Sequence, residues 1–198
     1  GAKCKLVQFH PSYDYTDFVE GLRPVKQGST LGFERRDGAF KSFCKEALLD
    51  TGTPHVFIID EINRGEISKI FGEPSGNDPD NIGSKHKAET QYQNLIPKEG
   101  DHDFDPAHAD VFKDGFFRPE NVYIIGTMND IDRSVESMDF AMRRRFAWQE
   151  ILVEARQSML DDEQAWNGKK PEQAIIDEIK NRMNNLNACI IDKYGEET

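Results

Sequence analysis

An α/β domain organised around a parallel sheet is the fold class this sequence predicts, and three observations predict it. Val56-Phe57-Ile58-Ile59 and Val122-Tyr123-Ile124-Ile125 are unbroken apolar runs, the pattern of strands covered on both faces. Each run ends within a few residues, at Asp60-Glu61 after the first and at Met128-Asn129 after the second. Around them, apolar residues recur at helical spacing, and strands that alternate with helices favour parallel pairing.

The remaining elements follow in chain order. Leu6 to His10 reads as a short strand stopped by Pro11. Tyr15 to Glu20 has room for one or two helical turns before Gly21 and Pro24. Residues 25–37, with Gly28, Ser29 and Gly32, read as a flexible loop. Ala39 to Asp50 is an amphipathic helix with Phe40, Phe43, Cys44, Ala47 and Leu48 on one face. A helical stretch runs from Glu66 to Phe71. Residues 72–118 are polar and rich in Gly, Pro and Asp, and read as one long loop with a short strand at Gln93 to Ile96. Helix signals return from Ser134 to Arg143, and Phe146 to Ile151 reads as a further strand. Pro171 opens the last helix, whose apolar stripe is Ile175, Ile179, Met183, Leu186 and Ile190. That stripe is expected to pack within a helical lid.

Composition narrows the function classes. The 198 residues carry 36 acidic and 25 basic side chains, a formal charge of -11. A surface that wraps a nucleic-acid duplex is normally basic, so the chain is a poor stand-alone DNA reader. Its three cysteines, Cys4, Cys44 and Cys189, show no metal-binding spacing and no disulfide framework. No apolar run approaches the roughly 20 residues of a membrane span. A cytoplasmic location with no membrane association is expected.

Three motifs carry chemistry. Val56-Phe57-Ile58-Ile59-Asp60-Glu61 is a Walker B pattern. Ligands of open α/β sheets bind beyond the carboxyl ends of the strands, where Asp60 can hold a hydrated Mg²⁺ on a nucleoside triphosphate. Glu61 is then placed to orient the attacking water. Taken alone, the run also suits a strand that ends in solvated acids. The second motif is Met128-Asn129-Asp130-Ile131-Asp132-Arg133-Ser134. An Asn at that edge can hydrogen-bond the attacking water or the γ-phosphate without repelling it; it can equally cap the next helix. The third is Arg143-Arg144-Arg145, whose guanidinium groups suit phosphate recognition or, more simply, a helix C-terminus.

Together these motifs resemble the McrB-type AAA+ proteins. Val7 to Tyr13 and Tyr15 to Pro24 look like the segment after that family's first helix. Ile59-Asp60-Glu61-Ile62-Asn63-Arg64, with Ser68 to Glu73, resembles its extended Walker B region, and Pro119 to Asn129 matches closely. The family continues Met-Asn-Thr-Ala-Asp-Arg-Ser; this chain keeps Asp132, Arg133 and Ser134 but has Asp130 and Ile131 in the middle. Ala141 to Phe146 also fits.

The resemblance implies a partial AAA+ P-loop NTPase fold, a core over residues 1–151 and the start of a helical lid over 152–198. It implies a ring-forming motor, hexameric when complete, that hydrolyses GTP or ATP with Mg²⁺. It also implies a McrC-like nuclease partner and contact with DNA through other domains. By position, Asp60 is the Mg²⁺ residue, Glu61 the catalytic glutamate and Asn129 the sensor. Asp132 and Arg133 belong to the nucleotide-facing loop, and Arg144 and Arg145 are the arginines that reach a neighbour's nucleotide.

The chain departs from the family in two places. No G-x-x-x-x-G-K-[ST] motif occurs in it. The P-loop and its strand are therefore expected upstream of the first strand seen here, which should leave the final strand without its usual neighbour. Pro74 to Asp80, with two prolines and a glycine, replaces an expected apolar helix. A non-catalytic AAA+ remnant, a protein-remodelling relative and a metal-dependent nuclease are the competing readings. The acids from Asp101 to Asp110 read as a hydrated loop rather than a metal site, Cys44 as core and His10 as structural.

Overall fold

A computed structural model describes residues 1–27, 30–71, 83, 87–129, 140–151 and 156–194. The chain forms two compact units, Gly1–Phe146 and Ala147–Thr198.

The first unit is α/β, as the sequence predicts. Strands β1 (Lys3–Gln8), β4 (His55–Asp60) and β5 (Val122–Gly126) form a parallel sheet in the order β1-β4-β5. Its register pairs Gln8 with Asp60 and Ile59 with Gly126, so the three carboxyl ends share one edge. This is compatible with part of a P-loop NTPase fold. Helices α1 (Tyr15–Phe18), α2 (Ala39–Leu49) and α3 (Ile67–Phe71) flank the sheet.

The core is aromatic. Phe57 and Ile59 on β4 are fully buried, and Phe57 meets Phe18, Phe40 and Phe43 edge-on. Phe18 stacks on Phe40 with ring centroids 4.8 Å apart. Such pairs add about 1 kcal/mol each beyond their buried area. Gly38 lets α2 start against α1, since a Cβ there would lie 2.4 Å from the carbonyl carbon of Phe18. Cys44 is fully buried in this core, and burial pushes its thiol far above the usual range.

The other sheet face corrects the expectation of strands covered on both sides. Leu6, Tyr123 and Ile125 are 66%, 54% and 51% exposed, and the register places Leu6 and Ile125 on either side of half-buried Ile58. Among the described residues, nothing pairs with the outer edge of β5.

Residues 25–37 are not a loop. Strands β2 (Glu20–Gln27) and β3 (Thr30–Asp37) form an antiparallel hairpin that pairs Glu20 with Asp37 and Pro24 with Phe33. Its base is held by charge. Arg35 reaches Glu20 (3.0 Å), Asp37 (2.8 Å) and Asp110 (2.8 Å). Lys41 on α2 meets Glu20 at 2.6 Å, both side chains fully buried, while Lys45 pairs with Asp37 and Asp110. Asp110 is thus no hydrated loop acid: it ties the segment 87–118 to the hairpin and α2.

Three smaller expectations also change. Gln93–Leu95 is a 3-10 turn rather than a strand, because Gln93 and Leu95 bond back to Thr90 and Tyr92. Residues 146–151 form no strand: the chain turns at Arg145 and Phe146, whose amides bond back to Met142 and Arg143. The first strand begins three residues earlier and ends two earlier than its apolar pattern suggests, because Lys3 to Lys5 already pair with His55 to Phe57. The helix expected from Ser134 is described only over Phe140–Arg143, as α4, and Pro74 to Asp80 lies outside the described residues.

In the second unit, α5 (Gln173–Tyr194) follows two 3-10 turns, Gln157–Asp161 and Glu163–Trp166. The helix starts two residues after Pro171 rather than at it. Lys180 pairs with Asp161 at 2.7 Å and Ile176 is buried, whereas Ile175 and Leu186 of the predicted stripe are 52% and 61% exposed.

One side chain that the sequence reading passed over organises the approach to β5. The two N–H groups of the Asn121 amide are shared among the carbonyls of Ala47 (3.1 Å), Asp50 (3.1 Å) and Thr53 (3.0 Å), closing the C-terminal end of α2. Asn121→Ala strands these half-buried acceptors, and a loss of about 2 kcal/mol is expected. Thermal unfolding followed by circular dichroism should show a midpoint lower by roughly 4–8 °C. A midpoint unchanged within error would show that water replaces the amide without loss.

Candidate active site

The carboxyl edge of the parallel sheet gathers Asp60, Glu61 and Asn129 from two strands. β4 delivers Asp60 at its last residue, half-buried, and Glu61 immediately after it. Glu61 takes a left-handed backbone (φ 56, ψ 47), rare for a residue with a side chain. This kink ends the strand, and residues 62–64 wind into a 3-10 turn that buries Ile62 and Asn63.

The segment after β5 is zipped to this turn. The Thr127 amide donates to Ile59 O (2.9 Å), and the Ile62 amide donates to Thr127 O (2.9 Å). The Thr127 hydroxyl donates to Asp60 Oδ1 at 2.6 Å and accepts from the Glu61 amide at 3.2 Å. The buried amide of Asn63 donates to the carbonyl of Asn129 at 3.1 Å, fixing the segment after β5 against the turn. The Asn129 side chain belongs to an exposed residue, and the Glu61 carboxylate lies 3.0 Å from Arg64 Nε.

Sequence reasoning gave no role to Thr127 or Asn63. The parallel register held the signal: with Ile59 opposite Gly126, the next position sets Thr127 beside Asp60. Of the other predicted residues, Arg144 is exposed just past α4, whereas Arg145 is half-buried and donates to Met142 Sδ at 3.3 Å. Asp132 and Arg133 lie outside the described residues. His10 is exposed, edge-on to Tyr13.

The donor set fits a hydrated Mg²⁺. Asp60 offers hard carboxylate oxygen and Thr127 a hydroxyl beside it. Among the described residues no group of three or more His, Cys, Asp or Glu converges as a dedicated metal cage. Magnesium bound through one or two carboxylates, several waters and substrate phosphates needs no such cage. A cleft of about 430 Å³ lies elsewhere, lined by Arg35, Lys45, Phe104 and Asp110. Its charged wall is the network that anchors the hairpin, and it includes none of the sheet-edge residues. No described helix is long and apolar enough to cross a membrane.

No family model matches the chain. It is 37% identical over 190 residues to the McrB subunit of the type IV methyl-directed restriction enzyme of Escherichia coli K12, an alignment covering 93% of this chain and 36% of that protein. It is 26% identical over 186 residues to the YdiS component of the type II restriction enzyme BsuMI of Bacillus subtilis 168, covering 78% of this chain and 50% of that one. The chain thus spans about a third to a half of the length of these relatives. At 37% identity over 93% of its length, the chain belongs to the McrB-type family.

Proposed function

We propose that this chain supplies the Walker B and sensor part of an McrB-like AAA+ motor that hydrolyses GTP or ATP in a DNA restriction system. One observation carries the reading: Asp60, Glu61 and Asn129 stand at a single carboxyl edge of parallel strands, hydrogen-bonded into one unit through Thr127 and Asn63. Ligands bind at that edge in open α/β sheets.

In this reading Asp60 holds the water shell of Mg²⁺, which when bound neutralises the phosphate oxygens. Glu61 orients and polarises the water that attacks the γ-phosphorus. The amide of Asn129 hydrogen-bonds that water or the γ-phosphate, and Asp132 and Arg133 complete the nucleotide-facing loop. The phosphates themselves need a backbone nest and lysine of the P-loop kind, which this sequence does not contain. Exposed Arg144, with Arg145 beside it, is suited to reach the nucleotide of a neighbouring subunit in a ring. A nuclease subunit of the McrC kind and DNA bound through other domains complete the proposed assembly. The names of both relatives, components of restriction enzymes, support that setting.

Fluorescence anisotropy with labelled GTP and ATP in Mg²⁺, beside a phosphate-release assay, tests the proposal. The full-length protein is expected to bind and hydrolyse one of the two, and Asp60→Ala to abolish Mg²⁺-dependent release. The 198-residue chain alone is expected not to bind up to about millimolar nucleotide, since the P-loop contributes most phosphate contacts. Saturable micromolar binding by the chain alone would mean that other residues hold the phosphates. A full-length protein that neither binds nor hydrolyses would instead favour a non-catalytic AAA+ remnant.

A further inference from the structure

We propose that Thr127 is the positioning residue of this site, its single hydroxyl setting Asp60 and Glu61 in register with each other. The inference rests on the reading of the sheet edge as a nucleotide-hydrolysing site. It says how two adjacent carboxylates come to do different work there.

A hydroxyl offers one donor and two acceptor lone pairs. Thr127 directs its proton to Asp60 Oδ1 at 2.6 Å, the short length of a hydrogen bond to a carboxylate. Its oxygen is then free to accept, and it accepts from the Glu61 amide at 3.2 Å. The bond takes Oδ1 of Asp60, so one carboxylate oxygen is spent on orientation and the second is the one this reading assigns to the metal's water shell.

Glu61 explains why such a clamp is needed. A strand continuing through residue 61 would send Asp60 and Glu61 to opposite faces of the sheet. The left-handed backbone at Glu61 breaks that alternation, and a non-glycine residue persists there only when its surroundings over-determine it. The Thr127 hydroxyl is the side-chain group that bonds the Glu61 amide. Backbone bonds on either side of the turn, from Thr127 to Ile59 O and from Ile62 to Thr127 O, prevent the hydroxyl from drifting.

Valine retains the β-branched shape of threonine and removes the hydroxyl; serine retains the hydroxyl and removes the methyl. In the full-length protein, Thr127→Val is expected to raise the Mg²⁺ concentration for half-maximal hydrolysis by about tenfold. It should lower kcat by about tenfold or more, with KM for nucleotide held within about threefold. Thr127→Ser is expected to recover most of both losses. Amide hydrogen exchange supplies a readout independent of turnover: protection of the Glu61 amide should fall in Thr127→Val and return in Thr127→Ser. If wild type hydrolyses and Asp60→Ala does not, a Thr127→Val protein with unchanged kcat and Mg²⁺ requirement overturns the positioning role alone. If wild type shows no Mg²⁺-dependent hydrolysis, the functional reading and this role fall together. A Glu61 amide as protected in Thr127→Val as in wild type overturns the clamp whatever the turnover.

Discussion

Glu61→Gln in the full-length protein is expected to lower kcat for nucleotide hydrolysis by about a hundredfold or more, with nucleotide affinity held within about threefold. The amide side chain has nearly the shape of the carboxylate, so it can occupy the same left-handed turn after β4. It cannot take a proton from the attacking water, and its smaller dipole polarises that water less. Loss of the fold is not a competing explanation. Among the described residues the ion pair removed is with Arg64, three residues on, whose side chain is 42% exposed against 23% for Glu61, and a pair this open on one side contributes on the order of 1 kcal/mol. Asp60→Ala makes the contrast: it removes the carboxylate that the Thr127 hydroxyl holds and should change the Mg²⁺ requirement as well as kcat. Steady-state kinetics across a Mg²⁺ titration, paired with anisotropy for affinity, separate the two. A Glu61→Gln enzyme within about fivefold of wild-type kcat would remove Glu61 from the water-orienting role.

The sheet edge was legible in the sequence because its signals are local. Four apolar residues before Asp60-Glu61, and another run before Met128-Asn129, state both a strand and where it stops. What tied the two together was not local. The bond from Thr127 to Asp60 spans 67 positions and depends on a parallel register that no residue announces by type. Asn63 stood inside the recognised motif, yet its contact with the Asn129 carbonyl appears only once both turns are folded.

The hairpin was misread for a different reason. Glycines and charges over residues 25–37 resemble a loop, and the alternation of Leu31, Phe33 and Arg35 is weak because Leu31 and Phe33 are 67% and 66% exposed. Burial, the usual source of a period-two pattern, is absent there. The hairpin is held at its base by ion pairs with partners as remote as Asp110. The apolar runs misled in the opposite sense. They read as strands covered on both faces, whereas in the described structure Tyr123 and Ile125 of β5 are open.

That buried network makes the second large prediction. Lys41→Met is expected to destabilise the first unit by about 3 kcal/mol near neutral pH, because it leaves Glu20 in the interior without its closest cation. The pH dependence of the Glu20 contribution should also change sign. In wild type, burial pushes the Glu20 carboxyl up, but Lys41, Thr90 and the Tyr92 amide together outweigh burial and hold it below its ordinary value. Asp110 is likewise held low: burial raises it, and the Phe112 amide and Lys45 more than compensate. A carboxyl held low in the folded state stabilises above its ordinary pKa, and that stability is lost as pH falls through the folded value. Wild type should therefore weaken on acidification. Without Lys41 burial dominates at Glu20, so the folded state is the one that keeps the proton, and acidification towards the ordinary carboxylate range relieves the strain. The deficit of Lys41→Met should thus shrink between neutral and mildly acidic pH. The double variant Glu20→Gln with Lys41→Met should regain more than half of it, since a neutral amide oxygen can still accept from the Tyr92 amide. Urea unfolding at the two pH values reads all three quantities. A deficit that grows on acidification, or one under about 1 kcal/mol near neutral pH, would show that Arg35, 3.0 Å from Glu20, compensates the carboxylate alone.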